Sequence, residues 1–322
     1  MSRSEIIEYL EPYWSSMLDL MRSSLHSEVE LLNQVNANIL DHSGKMLRPL
    51  VSLLMAKAIG EPNDDSVRLA ATAEMLHNAT LMHDDVADES TERRGRPTLV
   101  SLLGPTAAVL VGDYWLSKAV GLVYDSSCRM ALEKRFEKTM SDLAEGEMLQ
   151  LQKAGTADTD EEDYFKIIHD KTASLFEAAC ESAAVSVGAV PEFQDAAVRF
   201  GHCLGLAFQI KDDILDYAGT AELGKPLGID IKEQKITLPL LGALKGSPRE
   251  AEIRAMVRDI HEHPEYSDEV RSFVMDNGGI QYAAARLDEY IAKAEEAISV
   301  LPESKAREAL VTVARFNVYR QV

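Results

Sequence analysis

Apolar residues recur at helical spacing along almost the whole chain, and no run alternates polar and apolar positions as a half-buried strand would. Leu47–Ile59 is apolar nearly throughout and stops at Gly60 and Pro62, a common helix exit. Asp64 or Asp65 is placed to cap the next helix, which runs through Met75 and Leu81. A charged segment containing Gly and Pro, 92–98, reads as a loop, and 106–123 resumes as a helix rich in small residues. A long amphipathic helix over 129–152 breaks at 154–158, and Thr159-Asp160-Glu161-Glu162 reads as a capping box. Residues 166–187 and 193–217 predict two apolar helices, 219–228 a glycine-punctuated loop, and 237–244 another helix. The remainder is more polar, with breaks near Pro248, Pro264, Asn277-Gly278-Gly279 and Pro302. No low-complexity linker divides the chain, so the pattern predicts an all-α fold with a single domain over 1–322, a helical bundle whose C-terminal third forms outer helices.

Composition narrows what such a bundle can serve. Apolar residues make up 46% of 322, enough for a sizeable core. A formal charge of −20 argues against nucleic acid as a partner, because phosphate backbones are met by clustered Lys and Arg. It also disfavours an anionic lipid surface. An anionic substrate must then be caught by local basic groups or by metal ions. Cys128, Cys180 and Cys203 stand isolated, as expected in a reducing compartment. The first residues lack an apolar signal region, and no uninterrupted run approaches the roughly 20 apolar residues of a membrane span. The expectation is a soluble, cytoplasmic protein without a membrane span.

The chemistry concentrates in two segments of the same form, D-D-x-x-D, 128 residues apart: Asp84, Asp85 and Asp88, then Asp212, Asp213 and Asp216. On a helix, positions i, i+1 and i+4 fall within an arc of about 100°, so each trio can face one cavity. Carboxylates at this density repel unless cations sit among them. Hard oxygen ligands suit Mg²⁺, which completes its shell from water and substrate phosphates. The pair therefore predicts a diphosphate held through magnesium. An EF-hand is excluded, since neither segment has the alternating ligands, central Gly and terminal Glu. A zinc site is excluded on spacing, since no Cys or His set has the usual intervals. Basic residues accompany the acids: Lys45 and Arg48 at a helix start, Arg93 and Arg94 after the first trio, Lys171 beside Thr172 in an apolar helix, and Lys225 and Lys235 after the second trio. Arg grips phosphate with a planar fork and Lys as a point charge.

Taken together, GKMLRP at 44–49, LMHDDVADESTERRGRPT at 81–98, GDYWLSKA at 112–119, KTASLF at 171–176, FQIKDDILDYAG at 208–219 and GKPLGIDIKEQKITLPLL at 224–241 resemble the trans-type polyprenyl diphosphate synthases. The blocks keep that family's order and spacing, and the last 80 residues carry little of it. The resemblance implies the isoprenoid synthase bundle around a central cavity. It also implies condensation of isopentenyl diphosphate with an allylic diphosphate primer. The six aspartates would serve a Mg²⁺ cluster of three ions with substrate bound, Asp213 as support behind the direct ligands. Arg93, Lys171 and Lys235, helped by Lys225, would hold the allylic diphosphate. Lys45, Arg48, His77 and Arg94 would bind the diphosphate of isopentenyl diphosphate, with Phe208 bordering its pocket. Thr172 and Gln209 would stand near the reacting carbons. A homodimer is implied, with 106–123 at the interface.

Product length turns on the helix before Asp84. In relatives with short products, bulky aromatics four and five residues before the first aspartate act as a floor. Here those positions are Thr80 and Ala79, with Leu76 at the next level. A product longer than about C20 is expected, in the roughly C30–C45 octaprenyl-like class that supplies quinone side chains. A geranylgeranyl or farnesyl product is the alternative. A terpene cyclase fits less well, because it needs no isopentenyl site. A non-catalytic partner subunit would generally lose aspartates, and all six are kept. A divalent-cation buffer leaves the paired basic residues unexplained.

Overall fold

The structure is a computed structural model that describes residues 1–93, 95–219 and 228–319, with side chains to 315. In chain order the helices are α1 (Arg3–Tyr9), α2 (Tyr13–Ser24), α3 (Glu30–Asp41), α4 (Leu47–Ile59), α5 (Asp64–Ala87), α6 (Leu99–Leu103), α7 (Pro105–Tyr124), α8 (Arg129–Thr156) and α9 (Glu161–Ile168). There follow α10 (Ser174–Ser186), α11 (Pro191–Ala218), α12 (Ile229–Lys232), α13 (Leu238–Leu244), α14 (Glu250–Arg258), α15 (Tyr266–Asp276), α16 (Gly279–Ala297) and α17 (Lys305–Tyr319). The all-α expectation holds. Among the described residues the extended pairing is a two-residue ladder, Glu92↔Pro97 and Arg93↔Arg96, inside the segment expected to be a loop. By contacts the chain divides into two compact units. One is Met1–Phe136, Ala178–Val198 and Val300–Thr312, and the other Glu137–Glu177, Arg199–Ser299 and Val313–Val322.

In the first unit, α5 packs against α2, α4 and α7. Eleven of the thirteen residues of α4 are buried, as an all-round apolar helix requires. The N-cap of α5 is Asn63, one residue before the expected aspartates. Its side chain accepts the N–H groups of Asp65 at 2.9 Å and Ser66 at 3.0 Å. Asp64 and Asp65 instead fall in the first turn, where their charge complements the helix dipole. By length and composition alone α7 is long and apolar enough to cross a membrane, although Asp113 and Lys118 interrupt its apolar run, and 39% of its apolar window is buried within the protein. Its principal packing partner is α5, the behaviour of a bundle helix.

In the second unit, α13 packs against α15 and α16, joining a core with Tyr217, Ile231, Val257 and Phe273. A neighbouring core gathers Leu206, Ile210 and Ile214 from one face of α11 with Tyr164, Ile168 and Leu287. The cap of α9 is Asp160 paired with Asp163, not Thr159 with Glu162, because Asp160 Oδ1 reaches the Asp163 N–H at 2.8 Å. The larger departure is at 166–187, expected as one helix. A π-turn, His169–Ala173, separates α9 from α10. Two close approaches frame it. A Cβ on Gly146 of α8 would stand 2.7 Å from Asp170 Cβ, and one on Gly205 of α11 would stand 2.4 Å from Ala173 Cα. Only glycine lets both helices press on the turn.

Candidate active site

The first aspartate trio closes α5. Asp84 is half-buried, Asp85 buried, and Asp88 exposed just past the helix end, its N–H donating to the Asp84 carbonyl at 2.8 Å. The chain then reverses: Ser90 N–H donates to the Asp85 carbonyl at 2.9 Å, and Thr98 Oγ1 donates to the Ser90 carbonyl at 2.6 Å. This closed loop presents Arg93, whose Nε donates to Asp85 Oδ1 at 2.7 Å. Earlier on α5, Leu76 and Ala79 are buried and His77 and Thr80 half-buried, with Thr80 Oγ1 donating to the His77 carbonyl. Lys45 and Arg48 flank the start of α4. Met46 between them is left-handed at φ 46°, and Arg3 donates twice to the Lys45 carbonyl. Arg94 lies outside the described residues.

The second trio ends α11, in the other unit. Asp213 is buried and held from both sides: Tyr164 donates to Oδ2 at 2.6 Å and Gln209 Nε2 to Oδ1 at 2.9 Å. Gln209 Oε1 in turn accepts the Thr172 hydroxyl at 3.0 Å. This chain orients the amide, nitrogen toward the carboxylate and oxygen toward the hydroxyl. Asp216 accepts the N–H groups of Ile229 and Asp230 at 3.1 and 3.2 Å, and Asp212 is exposed. Lys171 pairs with Glu147, and Lys235 with Glu233. Lys171, Thr172, Gln209, Asp213, Asp230 and Lys235 line a cavity of about 150 Å³.

Electrostatics in this cavity favour a cation. Burial pushes the Asp213 carboxyl up to about 7, aided by Asp212 and Asp216, although the bonds from Tyr164 and Gln209 oppose the rise. Burial likewise raises Asp216, and it raises Asp230 well above the usual range with help from Asp213 and Asp216. Carboxyls this close resist joint ionisation unless positive charge joins them. Both trios also stand at helix C-termini, the negative end of the dipole, where a cation gains about 0.3–1 kcal/mol and a carboxylate loses as much. An all-oxygen donor set in such a field fits Mg²⁺ or Ca²⁺.

The model of the polyprenyl synthetase family matches residues 29–274, which include both trios. The chain belongs to the polyprenyl synthetase family. It is a prenyltransferase, and its bundle is the isoprenoid synthase fold. It is 40% identical, over 99% of its length and 98% of the relative's, to an all-trans-nonaprenyl-diphosphate synthase (geranyl-diphosphate specific) of Rhodobacter capsulatus. It is 38% identical to an octaprenyl diphosphate synthase of Haemophilus influenzae, over 99% of this chain and 98% of the other. A polyprenyl synthase of Caulobacter crescentus, solved with calcium and isoprenyl diphosphate, superposes with a TM-score of 0.91 at 35% identity, covering 100% of this chain and 98% of that one.

Of this prenyltransferase's expected site residues, Lys171, Thr172, Gln209, Asp213 and Lys235 line that cavity, while Phe208 lies outside its lining. Phe208 is half-buried and packs its ring 6.0 Å from that of Phe176. Lys225 lies outside the described residues. Sequence reading did not single out Tyr164, Glu147 or Asp230. Asp230 carried a signal, the aspartate of G-K-x-x-G-x-D. Tyr164 looks like any apolar-face aromatic, and Glu147 like any acid on an amphipathic helix.

Proposed function

We propose that this prenyltransferase adds isopentenyl diphosphate to an allylic diphosphate primer through a trans, chain-elongating condensation. The product is a long-chain polyprenyl diphosphate in the roughly C30–C45 class, suited to quinone side chains. The observation that carries the length is Ala79: five residues before Asp84, buried, and too small to form a floor. Thr80 beside it is small as well, leaving Leu76 as the next restriction. The octaprenyl and nonaprenyl products named for the two relatives support the same class. This reading takes residues 1–322 as one catalytic domain.

Asp84, Asp85, Asp88, Asp212 and Asp216 are assigned as magnesium ligands, with Asp213 holding the second set from behind. Three Mg²⁺ ions, when bound, neutralise the diphosphate and stabilise the charge that builds on the leaving pyrophosphate. Arg93, Lys171 and Lys235, with Lys225, add cationic donors to the same group. Asp85 engages Arg93 and Glu147 engages Lys171, which keeps both cations oriented by a neighbouring carboxylate. The Thr172 hydroxyl donates its hydrogen bond to Gln209 Oε1, which leaves the hydroxyl oxygen's lone pairs for the allylic cation. Lys45, Arg48, His77 and Arg94 are assigned to the diphosphate of isopentenyl diphosphate, and Phe208 to its hydrocarbon. The departing pyrophosphate takes the final proton, so no side-chain base is needed. Exclusion of water by apolar helix walls protects the cation from quenching.

A homodimer through α7 belongs to the same proposal, supported by exposed Leu110 and Val109 on that helix. So does a cytoplasmic location. The decisive experiment incubates the purified chain with Mg²⁺, farnesyl diphosphate and labelled isopentenyl diphosphate, then resolves the dephosphorylated products by length. A ladder ending between C30 and C45 is expected. Termination at C20 overturns the long-chain assignment, and cyclic hydrocarbons or no turnover overturn the reaction.

A further inference from the structure

The π-turn His169–Ala173 has a second consequence besides presenting Lys171 and Thr172. His169 and Glu177 are eight residues apart. In an unbroken α-helix, eight residues leave side chains about 80° out of line, whereas seven bring them within about 20°. The π-turn absorbs one extra residue. Its effect is to put His169 and Glu177 on one face, with His169 Nε2 at 2.9 Å from Glu177 Oε1. A third group comes from α11. A Cβ on Gly201 would stand 2.9 Å from Glu177 Cα, so the two backbones touch there, and the next residue, His202, sets Nδ1 at 2.8 Å from the same Glu177 oxygen. The ligand atoms of all three lie within 4.8 Å of one another.

We propose that His169, Glu177 and His202 form a site for a zinc-class divalent transition metal, separate in its ligands from the aspartate motifs. The donor set is two imidazoles and one carboxylate. That set with one open position is a known zinc arrangement, and imidazole nitrogen suits zinc where magnesium prefers oxygen alone. The histidines keep partial exposure while Glu177 is buried, which leaves one side open for a water ligand. A backing residue is already present. Asp170 Oδ1 stands 2.7 Å from His169 Nδ1, and Lys166 donates to its other oxygen at 2.7 Å. A carboxylate on the far ring nitrogen fixes the tautomer with Nδ1 protonated and frees Nε2 to ligate. Ligand atoms of a tetrahedral ion with bonds near 2.0–2.1 Å stand about 3.3 Å apart, so each histidine nitrogen moves only about half an ångström from the Glu177 oxygen, while the two nitrogens, within 4.8 Å of each other, settle to that same spacing. Sequence spacing excludes zinc because no Cys or His set has the usual intervals; these three residues stand 8 and 25 apart, and the π-turn and the α10–α11 contact supply what spacing does not. A bound ion ties the turn that carries Lys171 and Thr172 to α11.

The test uses the full chain, stripped by a chelator and titrated with Zn²⁺ against a chromophoric competitor, with excess Mg²⁺ filling the oxygen sites. One Zn²⁺ per chain is expected, and Co²⁺ in its place should give visible bands of nitrogen–oxygen ligation. His202→Ala, a partly exposed position that leaves the core intact, should weaken Zn²⁺ at least a hundredfold, and Asp170→Asn by about ten- to a hundredfold. Circular dichroism confirms that each variant is folded. Zn²⁺ affinity unchanged in folded His202→Ala, or no Zn²⁺ bound by the parent chain in excess Mg²⁺, overturns the site.

Discussion

Replacing Ala79 with Tyr tests product length from two sides. Five residues of helix put Ala79 about 7.5 Å below Asp84. A helical side chain leans toward the N-terminus, so a tyrosine ring there closes the path somewhat deeper. One isoprene unit extends the tail by about 5 Å, from four carbon–carbon bonds of about 1.5 Å each. The new floor therefore leaves space for roughly two units beyond the reacting one, and the product should fall to about C15–C20. The unaltered helix tells the other half. From Asp84 back to Asp64, α5 spans about 30 Å, or roughly six extended units beyond the reacting one, about C35, which falls within the proposed class. The assay is the labelled-product ladder started from geranyl diphosphate, so that a C15 product carries label, run beside a thermal melt. A tyrosine in an open tunnel leaves stability nearly unchanged. One forced into helix packing costs about 1–3 kcal/mol. A folded Ala79→Tyr enzyme that still makes the parent ladder refutes the reasoning. A large drop in melting temperature with unchanged product length would assign Ala79 to packing alone.

Three further outcomes follow from the cavity at the second trio. Gly205→Ala drives a Cβ toward the Ala173 backbone, so a loss of about 1–3 kcal/mol is expected, with kcat falling more than tenfold as Thr172 shifts; a parental melt and kcat would exclude a positioning role for this contact. Tyr164→Phe strips one donor from buried Asp213 and should cost about 1–3 kcal/mol in a denaturant titration without Mg²⁺, and no measurable change would mean that water replaces the hydroxyl. The carboxyl of Asp213 is raised to about 7 in the folded state against about 3.9 unfolded, so the folded state holds more protons between those values. Its contribution to metal-free stability is present below about pH 4 and is lost as pH rises through 7, while Asp213→Asn should flatten that slope. Excess Mg²⁺, which favours the ionised cavity, should reverse the trend; a slope identical in parent and variant would remove Asp213 as its source.

Most of the helices were legible because helical periodicity is local, and a face made of Leu206, Ile210 and Ile214 declares itself in sequence. The aspartate trios were legible for another reason: dense like charge has few stable explanations, and the accompanying cations limit these to a metal-bound anion. Caps were misread by a residue, at Asn63 and Asp160, because adjacent Asn, Asp and Thr compete and only backbone direction decides among them. The π-turn at His169–Ala173 was not legible, since its cause is not in its own residues. It is imposed by Gly146 and Gly205, tens of residues away, which allow two backbones to press on one turn. The same non-local contact aims Thr172 at Gln209 and gathers His169, Glu177 and His202. A linear motif can therefore name Lys171 and Thr172 as functional without revealing why they point where they do. Substitutions at Gly146 or Gly205, outside every motif, should disturb the site as strongly as many within them.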